Sequence, residues 1–126
     1  MNTKLIWVIS IIVFALLLYL LMFINTNAVV AEVENIMYGN VDKSETEGTP
    51  LNMYNYSNIY QNAEVEVKIT RLFTIHNFFD GYIWVKYSRK TIRNDIDIYP
   101  GAIATSCWKI HRENGKWKIV EIYEAP

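Results

Sequence analysis

At 126 residues the chain has room for one domain and too little for two. Its formal net charge of −1 argues against a nucleic-acid partner, which needs a basic surface. A single cysteine, Cys107, excludes an internal disulfide, so the fold must be held by packing.

The 52% hydrophobic content is unevenly spread. Leu5 to Ile24 is apolar throughout, with Ser10 the one exception. As a helix rising ~1.5 Å per residue, this run measures about 30 Å, the thickness of a bilayer's hydrocarbon core. It has no polar face, and only a helix satisfies its own backbone within lipid. These features predict a transmembrane helix over 5–24 behind a short stub, residues 1–4. Lys4 precedes the run, whereas Glu32 and Glu34 follow it and no cation appears until Lys43. The positive-inside tendency then puts the N-terminus in the cytoplasm and residues 25–126 outside. The alternative is a signal peptide cleaved near Ala31, after Val29-Val30. The apolar run is longer than a usual signal core, which favours a retained anchor. No cysteine stands directly after it, which excludes a lipoprotein.

Residues 25–62 read as a helical and loop segment. Val29/Val30, Val33 and Ile36/Met37 recur at helical spacing, as a continuation of the first helix or a short second one after Asn27. Gly39-Asn40 is its predicted stop. Asp42 to Thr49 carries no apolar residue and reads as an exposed loop. Thr49-Pro50 resembles a helix start, with Leu51, Met53, Tyr56 and Tyr60 along one face. Asn55-Tyr56-Ser57 matches an N-glycosylation triplet, relevant only in a eukaryotic secretory pathway.

From residue 63 to 126 the period changes to two, the mark of an antiparallel sheet. Val65, Val67, Ile69, Phe73 and Ile75 alternate with polar neighbours and are expected on one face. Arg71 falls among them and predicts a bulge, a strand end or a paired charge. His76 to Gly81 supplies turn residues, and Tyr82 to Ile92 is the next strand, with Ile83, Val85 and Tyr87 facing one way. Arg93 to Gly101 reads as a loop. Asn114-Gly115 between two apolar runs predicts a hairpin with a type I′ turn. Its register sets Glu113 against Lys116 and Ile110 against Ile119. Trp108, Ile110, Trp117, Ile119 and Tyr123 then share one side, with Cys107, Val120 and Ile122 on the other. The expected fold is α+β: an N-terminal transmembrane helix, then a curved antiparallel sheet of about four strands packed with one or two short helices.

Two segments, GYIWVKYS at Gly81–Ser88 and CWKIHRENGKWKIVEIYE at Cys107–Glu124, resemble the nuclear-transport-factor-2-like (cystatin-like) domains of small exported bacterial proteins. The resemblance covers about 60 residues and consists of a strand pattern. It implies a cone in which helices fold against a bent sheet, a plan that serves binders, enzymes and assembly modules alike.

Chemistry-bearing motifs are sparse. His76 and Asp80 share a turn and His111 lies on a strand, without the spacing of an acid–base pair. A calcium loop starting at Asp95 would need Gly where Pro100 stands and Glu where Ser106 stands. No phosphate loop, nucleophile elbow or paired-cysteine motif is present. The sequence therefore predicts a binding or assembly module rather than an enzyme, with no cofactor or metal. Charge is segregated: acids dominate residues 32–66, and Lys/Arg dominate from residue 67 on. Lys86, Arg89, Lys90 and Arg93, with Trp84, form the candidate contact set for a protein partner at the cell envelope. Tyr87, Trp108, His111, Trp117 and Tyr123 are the candidate lining of a pocket, the alternative being that the aromatics are core. Two further readings stand beside the binding module. One is a ligand-binding or enzymatic pocket of the same fold. The other is a structural subunit of an envelope-spanning secretion or conjugation complex, since type IV secretion bridges share the order of stub, span and cone.

Overall fold

The computed structural model describes residues 2–55, 64–93, 96–99 and 103–125. Helix α1 (Thr3–Asn25) is capped by Asn2, whose side chain accepts from the Lys4 amide at 3.0 Å. The apolar run lies within α1 and is uncovered by the rest of the protein. This helix is long and apolar enough to cross a membrane.

At Thr26 the chain passes into α2 (Asn27–Met37), so the second of the two expected arrangements is the one formed. Val29, Val33, Ile36 and Met37 make one buried face of α2. The helix ends as expected at Gly39, which takes the left-handed conformation that glycine tolerates best. The acidic stretch that follows is not a plain exposed loop. It forms one helical turn, α3 (Lys43–Thr46), whose Thr46 is buried and hydrogen-bonded to Asn52 and Asn55. A 3₁₀ turn over Pro50–Tyr54 comes next and sends Tyr54 into the core. Tyr56, Tyr60 and most of the glycosylation triplet lie outside the described residues.

The sheet is antiparallel, in the order β1 (Glu64–His76), β2 (Asp80–Arg93), β4 (Ala104–Glu113), β5 (Lys116–Glu124). The expected loop after Arg93 contains a short strand instead, β3 (Ile96–Tyr99), paired with the far end of β2. The chain is thus an α+β protein with a long N-terminal apolar helix and an open sheet.

Two bulges correct the expected faces. Between Arg71 and Phe73 the β1–β2 register slips by one residue. An extra residue in a strand of period two inverts every side chain beyond it. Val65, Val67 and Ile69 therefore pack under the helices, whereas Phe73 and Ile75 turn to the opposite face and Thr74 and His76 are buried. The bulge anticipated at Arg71 is present, and its charge is met by neutral hydrogen-bond acceptors at the end of α1. A second slip, beyond Ile110 and Ile119, changes the closing hairpin in the same way. The turn and its first pairs are as expected: Asn114 and Gly115 have φ of 53° and 78°, Glu113 faces Lys116 and Ile110 faces Ile119. Past the bulge, Ile122 joins the core row opposite Trp108, and Tyr123 moves to the outer face opposite Cys107.

The core lies between α2, the 3₁₀ turn and one face of the sheet. Ile83, Val85, Trp108 and Ile110 contribute from the sheet side.

Candidate docking face

Side chains directly paired across an antiparallel sheet share a face, so the register defines what the side away from the core displays. One row runs Phe73–Trp84–Cys107–Tyr123 across β1, β2, β4 and β5. The next, toward the β1–β2 turn, is Ile75–Tyr82–Lys109–Glu121. In the other direction come Thr70–Lys86–Thr105, Lys68–Ser88 and Glu66–Lys90. The face thus grades from an aromatic band to a polar and cationic end. Ring centroids 5.7 Å apart link Phe73 to Trp84, and Trp84 to Tyr82, within the range of favourable aromatic contacts. Glu66, Lys68, Ser88, Lys90 and Ile103 enclose a shallow hollow of about 270 Å³ at the polar end. Burial pushes the Cys107 thiol up from its ordinary value, so this half-buried residue is held as a thiol and acts as a small apolar side chain.

Of the expected contact set, Trp84, Lys86 and Lys90 share this face. Arg89 has the opposite parity; its Nε donates to the Met37 carbonyl at 2.9 Å and so satisfies the end of α2. Arg93 is the last residue of β2, and its side chain lies outside the described residues.

The expected pocket residues are not brought together. Trp108 is fully buried and donates through Nε1 to the Tyr54 hydroxyl at 3.0 Å. Tyr87, half-buried on the core side, donates to Glu124 at 2.6 Å. Trp117 packs on His76 and donates to Asn25 at 2.6 Å. His111 stands on the outer face with Nδ1 2.7 Å from an Asp80 carboxylate oxygen, both exposed. Tyr123 is on the outer face, beside Glu121, for the reason given above. The aromatics are chiefly structural. A separate cleft lies elsewhere, an open space of about 380 Å³ between α2, α3 and the edge strand β5, with Ile36, Leu51 and Ile119 at its base and Glu32, Glu45 and Lys118 at its rim.

Two arrangements escaped the sequence reading. Tyr54 is a buried hub: its hydroxyl donates to Glu124 at 2.9 Å, lies 2.9 Å from Ser106 Oγ and accepts from Trp108. Burial, above all, pushes this phenol well above its ordinary pKa, so it stays protonated. The other is the junction between α1 and the sheet. Arg71 Nη1 donates to the Phe23 carbonyl at 2.6 Å and to Thr26 Oγ1 at 3.2 Å, and Nη2 donates to Asn27 Oδ1 at 2.7 Å. The guanidinium also lies 3.9 Å from the centre of the Phe23 ring. His76 Nδ1 accepts from the Phe78 amide at 2.9 Å, which leaves Nε2 as the donor to the Met22 carbonyl at 3.2 Å. Arg71 and His76 thus join Thr26 Oγ1 in satisfying main-chain carbonyls at the end of α1, and Trp117 holds the Asn25 side chain.

Comparison with protein-family models, with curated proteins and with solved structures gave no match to this chain.

Proposed function

We propose that the chain is a retained single-pass membrane protein whose α+β domain is a docking module on the extracytoplasmic side. The observation that carries this reading is the junction. Thr26 and Val29 are 0% and 2% exposed, and Met22, Phe23 and Asn25 are tied to the sheet by His76, Arg71 and Trp117. Cleavage near Ala31 would strip Val29 from the core and leave those donors facing nothing. A signal peptidase also needs an extended substrate, and this stretch is helical. Both points favour an anchor over a leader. The cation before the span and the acids after it support a cytoplasmic N-terminus.

A module joined to its span by a bonded junction has a restricted orientation. Its face away from α2 is held near the membrane, which raises the effective concentration of a membrane-bound partner. The partner contacts in this reading are Trp84, Lys86 and Lys90, with Lys68 beside them. Helices gathered on one side of a bulged sheet accord with the nuclear-transport-factor-2-like plan, and that plan hosts modules of this kind. A photocrosslinking residue at Lys86, tested on intact cells, should capture a discrete partner that is lost when Lys68 and Lys90 are changed to Glu. The same residue placed at Ser44, on the helix side, should capture none. Equal products from both positions would remove the docking face.

A further inference from the structure

The β1–β2 hairpin end presents large apolar side chains to solvent in one short stretch: Leu72 is 52% exposed, Phe73 44%, Ile75 47% and Phe79 67%. Three features say what covers them. First, the Phe73 ring meets the Tyr19 ring, 5.7 Å between centroids, and Tyr19 belongs to the apolar run of α1. Tyr19 precedes Ile24 by five residues, about 7.5 Å along a helix. Met22, bonded to His76, is about 3 Å from the same end. The limb of β1 that carries Phe73 therefore runs beside the last turn and a half of the lipid-facing helix. Interfacial segments lie roughly 5–10 Å into the boundary between headgroups and acyl chains, which is this depth.

Second, the turn makes little demand on water. The Asn77 amide donates to Asp80 O, the Phe78 amide to His76 Nδ1, and the Phe79 and Asp80 amides to Asn77 Oδ1, all at 2.8–3.1 Å. A turn in a low-dielectric layer has to satisfy its amides internally. Third, Phe78 has φ of 72°, a left-handed conformation for which Gly or Asn is the cheaper choice. The Phe78 ring is half-buried and packs edge-on against His76, 4.8 Å between centroids, which offsets that strain and leaves Phe79 as the ring the turn directs outward. The nearby charges suit headgroups: the Arg112 amide donates to the Phe79 carbonyl, and Lys109 pairs with Tyr82. Among the acids there, Asp80 bonds His111, Glu113 bridges Lys118 and Glu121 faces Lys109.

From these observations we infer that the β1–β2 hairpin end, Leu72 to Phe79, is a second membrane contact, seated in the interfacial layer of the bilayer beside α1. It rests on the reading of α1 as a span. Two contacts, one spanning and one interfacial, fix the rotation and tilt of the domain, which a single helix does not.

The test uses the full chain with Cys107→Ala, reconstituted in vesicles of mixed phosphatidylcholine and phosphatidylglycerol. Spin labels go on Leu16→Cys, Leu72→Cys, Phe79→Cys and Glu64→Cys, one at a time, at exposed sites that leave the core untouched. Collision rates with oxygen, which favours lipid, and with a water-soluble nickel chelate report depth. The expected result is an oxygen-to-nickel ratio several-fold higher at residues 72 and 79 than at 64, with residue 16 higher still. If residue 16 reads as lipid while 72 and 79 match 64, the hairpin contact is wrong and the anchor stands. If 72 and 79 are shielded from both reagents, a protein surface occupies the patch and the inference fails. If residue 16 itself reads as water, the span is wrong and the inference falls with it.

Discussion

Replacing Arg71 with methionine keeps most of the side chain's length and removes its charge and donors. The loss can be worked from the contacts. Hydrogen bonds to a charged group contribute roughly 1.5–3 kcal/mol each, and two of Arg71's bonds, to Phe23 O and Thr26 Oγ1, are partly buried. The third, to Asn27, is exposed and counts for little. Two effects oppose these gains: the guanidinium is partly desolvated, which lowers its pKa, and its Nε has no hydrogen-bond partner among the described residues. A net destabilisation of about 2–3 kcal/mol results, with the Phe23 carbonyl left only the Thr26 hydroxyl as a side-chain donor. For a domain of this size each kcal/mol shifts the melting temperature by roughly 4–8 °C. Thermal unfolding in mild detergent, followed by near-ultraviolet circular dichroism, should therefore fall by at least about 8 °C. Arg71→Lys should recover only part of the loss, because an ammonium is a point donor and cannot span the fork of acceptors. The distance between spin labels on α1 and β4 should broaden in Arg71→Met, since one of the three side-chain hydrogen-bonded ties is lost and those of Trp117 and His76 remain. A melting temperature within a degree of the parent's, with an unchanged distance distribution, would refute the idea that Arg71 fixes the helix.

Three other outcomes follow from the same structure. Tyr54→Phe leaves the fully buried Trp108 indole N–H without its acceptor and should cost about 1–3 kcal/mol in denaturant titration; a neutral effect would mean that the hub is dispensable. In Gly81→Ala the new methyl meets the backbone of Ile75 and His76, which cannot swing aside as a long side chain would. The variant should lose about 3 kcal/mol or more, read as early melting and rapid exchange of β1–β2 amides. His76 is held below its ordinary pKa by burial first, opposed by its bond to Met22 and helped by Arg112. The folded state then binds fewer protons than the unfolded chain, so stability is complete above about pH 6.5 and declines as pH falls toward the depressed value. Melting should drop between pH 7.5 and 5.5, and His76→Gln should flatten that dependence; a slope equal to the parent's would assign it to other groups.

What the sequence disclosed and what it concealed have physical causes. The membrane-length helix is a bulk property of twenty adjacent side chains, and no tertiary context alters it. The closing turn was legible because Asn114 and Gly115 meet a local need for positive φ, and the pairs nearest the turn inherit its register. Farther out, Phe73, Ile75 and Tyr123 changed faces because each lies beyond a bulge. The alternation of apolar and polar residues runs on through a bulge, so period alone does not reveal it. Arg71 did mark the first irregularity, as a charge on an apolar face. The Tyr54 hub was hidden because its partners, Ser106 and Trp108, lie more than fifty residues away. Arg89 was placed with Lys86 and Lys90 by proximity in sequence, whereas strand parity sends it to the α2 terminus.

Helix α1 must remain attached to a domain whose core begins just beyond it, at Val29 of α2. The most direct test is the intact mass of the expressed 126-residue chain recovered from membranes washed at alkaline pH. The prediction is a membrane-embedded species at the full 14.8 kDa. A shorter species that begins near Val33 and leaves with the wash would contradict it.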